Sequence, residues 1–160
     1  MKEKIESLLK ELREIQAETQ KRLQKSIKEL FSEFWSNNPD IQTVVWTQYA
    51  PYFNDGDACV FRVNEPVFTN FRLDDSVTDA REVCWGDYED EEKNHISVQS
   101  WTVKKDIERF KLNANSDSIG SLSSFLCSDV VSDVMENTFG SDSLVIATRE
   151  GFEVQEYEHD

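Results

Sequence analysis

The chain of 160 residues contains no run of about 18 apolar residues, so no segment is suited to span a bilayer as a helix. Its first residues, Met1-Lys2-Glu3-Lys4, open a charged stretch and not an apolar signal segment, and a cytoplasmic location is expected. Cysteine is scarce: Cys59, Cys84 and Cys127 are odd in number, far apart and form no CxxC pair. Neither a zinc knuckle nor a disulfide framework is suggested, and three reduced thiols, buried or half-buried, are expected. Basic residues are few, 17 Lys and Arg against 32 Asp and Glu, for a net charge of −15. Binding to a phosphate backbone needs a basic surface, so direct contact with nucleic acid is not expected. Proline and glycine are sparse too, at three and five, while 38% of residues are hydrophobic and 11% aromatic. Such a composition excludes a disordered acidic tail and points to one packed domain, or a domain with an appended helix.

Catalytic signals are also missing. There is no GxSxG, no Walker loop and no HExxH. Histidine occurs only at 95 and 159, and the second, as the penultimate residue, is expected to be mobile. His95 follows an acidic stretch and could pair with a carboxylate. Pairs such as Asp87 and Glu89 could in principle do acid–base work, but acids are so numerous that one pairing carries little information. No catalytic residues, cofactor or metal site are assigned.

What is present divides in two. Residues 1–38 hold eight Lys/Arg and seven Glu, a balance of +1, whereas residues 39–160 hold nine Lys/Arg and 25 Asp/Glu, a balance of −16. The first part reads as a helical arm and the second as an acidic body.

The arm has no Gly or Pro over residues 2–36 and is rich in strong helix formers. Ile5, Leu8, Leu9, Leu12, Ile15, Leu23, Ile27, Leu30, Phe31 and Phe34 recur at steps of mostly three and four, one stripe of a helix of roughly 50 Å. Pro39 disfavours helical geometry at Asn38 and ends it. Leu8 to Ile15 and Leu23 to Leu30 are heptad-like steps, with a stutter at Thr19 and Arg22. Two readings compete. Ile5, Leu8, Leu12, Ile15, Leu23 and Leu30 form the seam of a dimer, or the helix docks on its own body through Phe31, Phe34 and Trp35. A mixture of the two, with the aromatic end in cis and the leucine half in trans, satisfies both patterns.

The body is expected to be α+β: an antiparallel sheet of hairpins with two or so further helices on one face. Ile41–Tyr49 reads as a strand, and Asn54-Asp55-Gly56-Asp57 as a turn into a return strand at 58–63. Residues 67–73 read as a third strand, 97–103 as a short strand or helix start, and Ile107, Phe110 and Leu112 as helical. A further helix, capped by Asp117 or Ser118 and ended by Gly140, carries Ile119, Leu122, Phe125, Leu126, Val130, Val134 and Met135 on its apolar side. Residues 143–148 and 152–157 close the chain as a hairpin turning at Arg149-Glu150-Gly151.

Three groups are candidate sites. The aromatic tip of the first hairpin, Trp46, Tyr49, Tyr52 and Phe53, reads as a recognition surface or, by alternation, partly as core. The acidic stretch Asp87, Glu89, Asp90, Glu91 and Glu92, with Glu153, Glu156 and Glu158 of the last strand, reads as one acidic binding face or as solvated charge. Cation binding at 54–57 or 87–92 is the weaker reading, because strands and not helices flank the first and no distal bidentate Glu follows it.

The stretch Trp46-Thr47-Gln48-Tyr49-Ala50-Pro51-Tyr52-Phe53-Asn54-Asp55-Gly56-Asp57 resembles a signature of small proteins of bacteriophage and bacterial genomes, and Thr148–Tyr157 is similar to their C-terminal end. The resemblance implies no activity and no catalytic residues. It does imply a phage accessory protein acting on a host macromolecule, in the host cytoplasm. With the charge, it makes a non-enzymatic inhibitor or modulator the leading reading, one that engages a basic protein surface, with nucleic-acid mimicry as its limiting form. The alternatives are an assembly protein forming a homo-oligomer (a dimer) through the arm, and a small metal protein or enzyme. No membrane contact is expected.

Overall fold

The computed structural model describes residues 1–52, 56, 59–73, 77–84 and 88–159. The fold is α+β. Helix α1 (Lys2–Asn37) leads into strand β1 (Thr43–Tyr49), then β2 (Arg62–Val63), β3 (Val67–Thr69), helix α2 (Val77–Cys84), β4 (Glu89–Asp90), β5 (His95–Val98), α3 (Val103–Phe110), α4 (Ser116–Leu126), a 3-10 turn at Asp129–Val131, α5 (Ser132–Phe139), β6 (Ser143–Thr148) and β7 (Gly151–Glu156). No helix among the described residues is long and apolar enough to cross a membrane.

The strands form one antiparallel sheet in the order β4-β5-β3-β1-β6-β7, with β2 paired to the end of β1. β1 is the axis. Val44 pairs with Phe68 on one side and Ala147 on the other, and Gln48 pairs with Val63 and with Ser143. The last hairpin closes as its turn chemistry predicts, Thr148 opposite Gly151.

The two-residue period of the strands sends alternate side chains to opposite faces. Val44 and Trp46 of β1, Phe68 of β3, Ile96 and Val98 of β5, and Val145 and Ala147 of β6 join one large core with α1, α4 and α5, against which α3 packs. Val45, Val67, Leu144 and Ile146 point the other way and meet Ala80 and Val83 of α2. The expected helices on one face are present, α4 and α5 beside α1, and α2 adds a cover on the other. The physical reason lies in β1, which is buried along nearly its whole length, as a strand enclosed on both faces must be.

The expected helix from 117 to 140 is also divided. Asn115, and not Asp117 or Ser118, caps α4, its side chain accepting the Ser118 N–H at 2.9 Å. Ser128 then caps the 3-10 turn by accepting the Val130 N–H at 3.3 Å. This break rotates Val130 out of the apolar stripe, and it is 89% exposed.

α1 has two halves. Ile27, Phe31, Phe34 and Trp35 are buried in the large core, where Phe31 stacks on Trp46 with ring centroids 6.0 Å apart. Gln20 Nε2 donates to Thr138 Oγ1 of α5 at 3.2 Å. Residues 1–19 are exposed throughout. Asn38 closes the helix, and Arg149 seals the exit: its guanidinium donates to the carbonyls of Ile41 (2.9 Å) and Pro39 (3.1 Å) and lies over the Trp35 ring.

Candidate functional site

The apolar stripe splits as the mixed reading requires on the side within the chain. Leu30 packs against the core. Leu23, Ile27 and Leu30 form, with Phe125, Val131 and Val134, an apolar groove of about 300 Å³ at the root of the arm. Ahead of it, Ile5, Leu8, Leu9, Leu12 and Ile15 are each 44% to 58% exposed.

The acidic residues do not form the single face that the sequence suggested. β4 and β7 are the opposite edges of the sheet, five strand spacings or about 24 Å apart. At the β4 edge, Glu89 pairs with Arg109 of α3 at 2.8 Å, and Asp90 accepts the Lys93 N–H at 3.3 Å, closing the turn through Glu91 and Glu92. Asp87 lies outside the described residues. At the β7 edge, Phe152 reaches the large core and Tyr157 the smaller one, so the alternation puts Glu153 and Glu156 on opposite sides of the strand, both exposed. Glu158 is exposed just beyond it. Sheet order joins residues distant in sequence and separates others, and a one-dimensional charge pattern does not carry it.

The aromatic tip separates as well. Trp46 is a core residue, 1% exposed; its indole Nε1 donates to Gln48 Oε1 at 3.0 Å and its ring meets Phe139 edge-on. It is not part of a surface tip, because it faces the large core between the sheet and helices α1 and α5. Phe53 lies outside the described residues. Tyr49 and Tyr52 are joined by a partner absent from the sequence argument, His159, whose imidazole stacks on both at 3.9 and 4.3 Å and meets Asp142 Oδ1 at 2.6 Å. The expected mobile end is thus docked on the tip. Tyr157 adds to the cluster, 5.6 Å from Tyr49 and covered by the Arg81 guanidinium at 5.0 Å. His95 stacks on Phe71 at 4.5 Å.

Residues 54, 55 and 57 lie outside the described residues. Among the described residues no group of three or more His, Cys, Asp or Glu is arranged to hold a metal ion.

A polar cluster that sequence reasoning missed lies between the sheet and α4. Glu65 Oε1 accepts from the Ser100 hydroxyl at 2.5 Å and from the Ser123 hydroxyl, and Oε2 faces Cys127 Sγ at 3.9 Å. Burial first, then the charge and hydrogen bond of Glu65, push the Cys127 thiol up to about 12. It is therefore protonated at neutral pH and a poor nucleophile. Both histidines are engaged in the aromatic stacks described above. The cluster is a tie: one carboxylate joins the segment before β3 to the loop before α3 and to α4. Burial likewise raises the Cys84 thiol to about 12, whereas Cys59 is exposed.

Compared with protein-family models, curated proteins and solved structures, the chain finds no match.

Proposed function

We propose that this chain is a non-enzymatic acidic module that binds a protein partner through a basic surface, in the manner of the phage accessory proteins that its two short stretches resemble. The observation that carries the reading is the segregation of charge: a body of −16 held on a near-neutral helix. Charge of one sign concentrated in one body speeds association with a basic partner and disfavours acidic competitors. Of the two acidic edges, β7 is the one that fits the role. It is six residues long, it is a terminal strand of the sheet, and its Glu153, Glu156 and Glu158 are exposed. β4 is two residues long and its Glu89 is engaged by Arg109. The partner acts in the cytoplasm, and mimicry of nucleic acid is the limiting form of the same chemistry.

The test has two parts. Affinity capture from the producing cell supplies the partner, and calorimetry then compares two charge-neutralised forms. Glu153→Gln/Glu156→Gln/Glu158→Gln weakens binding about tenfold or more at low salt, while Glu89→Gln/Glu91→Gln/Glu92→Gln stays within about twofold. Equal affinities for the wild type and both variants would count against an acidic contact.

A second reading, self-association through the N-terminal helix, is favoured by a different observation. Five large apolar side chains of α1 stand about half exposed on one stripe, more than a free helix in water would carry without a partner.

A further inference from the structure

We infer that the free half of α1 pairs with the same segment of a second copy in antiparallel orientation, Ile5 against the partner copy's Ile15 and Leu8 against its Leu12. This inference rests on the self-association reading above and adds its geometry.

The stripe itself sets the pairing. An α-helix returns to the same azimuth every 18 residues, after five turns. Ile5 and Leu23, Leu9 and Ile27, and Leu12 and Leu30 are each 18 apart. The exposed stripe is therefore a straight continuation of the residues that root α1 on the body, and it faces the side the body occupies from Gln20 onward. A helix laid parallel on that stripe would have to continue past residue 20 on the same side, into α4 and α5. An antiparallel helix runs the other way and carries its own body off the far end.

The spacing is symmetric too. Ile5-x2-Leu8-x3-Leu12-x2-Ile15 reads the same in both directions, so an antiparallel pair meets like with like about a dyad near Lys10. With Ile5 and Leu12 as a positions and Leu8 and Ile15 as d positions, Lys4, Glu11 and Glu18 occupy g. Antiparallel pairs bring g against g. The proposed register sets Lys4 opposite the second copy's Glu18 twice, and Leu9 beside Leu9 near the dyad, with Glu11 facing Glu11 as the one like-charge pair. Moving the register one heptad toward the C-terminus sets Lys4 against Lys25 and Glu11 against Glu18, all repulsive, and leaves Ile5 against Arg22; one heptad the other way pairs Lys4 with Glu11 but sets Ile5 against Leu8 and Leu12 against Met1, replacing Ile15 by Met1 in the core. A parallel pair sets Lys4 against Leu9 and Glu11 against Gln16, with no ion pair at all. Charge disfavours the first shift and the core layers the second, so together they select this register.

The bodies favour it as well. Each carries −16. In a parallel pair they would stand side by side. In the antiparallel pair about 20 helical residues, some 30 Å, separate them, close to four screening lengths at physiological salt.

Sedimentation velocity on the full chain between about 5 and 200 µM, at about 50 mM salt, tests this. The wild type is expected to shift from monomer to dimer. Lys4→Glu, which turns both ion pairs into repulsions, raises the dissociation constant about tenfold, and Lys4→Glu/Glu18→Lys restores it. Positions 4 and 18 are about 21 Å apart along one helix, so restoration has no source within a single chain or a parallel pair. A dimer in which the second change restores nothing would overturn the antiparallel register while leaving self-association standing. A chain that stays monomeric over the whole range would overturn both.

Discussion

Asn38 is the residue on which the attachment of arm to body turns. It is 0% exposed. Its amide Nδ2 donates to the Phe34 carbonyl at 2.8 Å and to Ser118 Oγ at 2.9 Å, and its Oδ1 accepts the Asn115 N–H at 2.7 Å. One side chain thereby fastens the last turn of α1 to the residue that caps α4. Asn38→Ala deletes all three bonds. The Phe34 carbonyl and the Asn115 N–H are left without that partner, at about 1–2 kcal/mol each, and the less deeply placed Ser118 hydroxyl costs less. The sum is about 3 kcal/mol. For a chain of this length about 3 °C accompanies each kcal/mol, so Tm falls by about 9 °C. Urea unfolding followed by circular dichroism gives the free energy directly. Asn38→Asp keeps the acceptor but loses both donated bonds and buries a carboxylate, so its loss is at least as large. A loss below about 1 kcal/mol for Asn38→Ala would refute the claim that this side chain ties the two parts together.

Other consequences follow from burial and exposure. Removing residues 1–19, all exposed, leaves the Tm of the remaining chain within about 2 °C at concentrations where it is monomeric, and a larger fall in calorimetry would show that the free half supports the body. Trp46→Ala empties a site enclosed by Phe31 and Phe139 and lowers stability by about 3–5 kcal/mol in urea unfolding, whereas a surface residue of a recognition tip would cost almost nothing. Thiol titration at pH 8 under native conditions shows one fast cysteine, Cys59, while Cys84 and Cys127, both raised to about 12, react slowly; three equal rates would contradict their burial. The Cys84 shift also has a sign in stability. Its folded value of about 12 lies above the ordinary 9.0, so its contribution is intact below pH 9 and is lost, at up to about 1.4 kcal/mol per pH unit, as pH rises toward 12. Cys84→Ala should flatten that part of the urea midpoint against pH, and an unchanged slope would argue against it.

Local rules carried the parts of the fold that local chemistry determines. α1 was legible from the absence of Gly and Pro and from its 3.6-residue period, and its end from Asn38 and Pro39. The last hairpin was legible from Arg149-Glu150-Gly151. The division after α4 was not, because Ser128 competes for the backbone with a single hydroxyl while Val130 still matches an apolar period. The second layer, α2 against Val45 and Ile146, was present as a weak signal: Thr43-Val44-Val45-Trp46 is apolar on both faces, the mark of a strand covered twice. The site was less legible than the fold. Glu65 meets Ser100 and Ser123 across 35 and 58 residues, and His159 meets Tyr49 across 110, so neither cluster has a sequence spacing to read. The acidic stretches at 89–92 and 153–158 look alike in sequence, yet sheet order sets them on opposite edges.

The division into a self-pairing arm and an acidic, partner-binding body is tested most directly by one titration. The affinity of the full chain for its captured partner is measured by calorimetry from about 50 to 500 mM salt. If exposed carboxylates of the body make the contact, affinity falls steeply, by at least about tenfold across that range. An affinity unchanged by salt would place the contact on apolar surface and contradict the account.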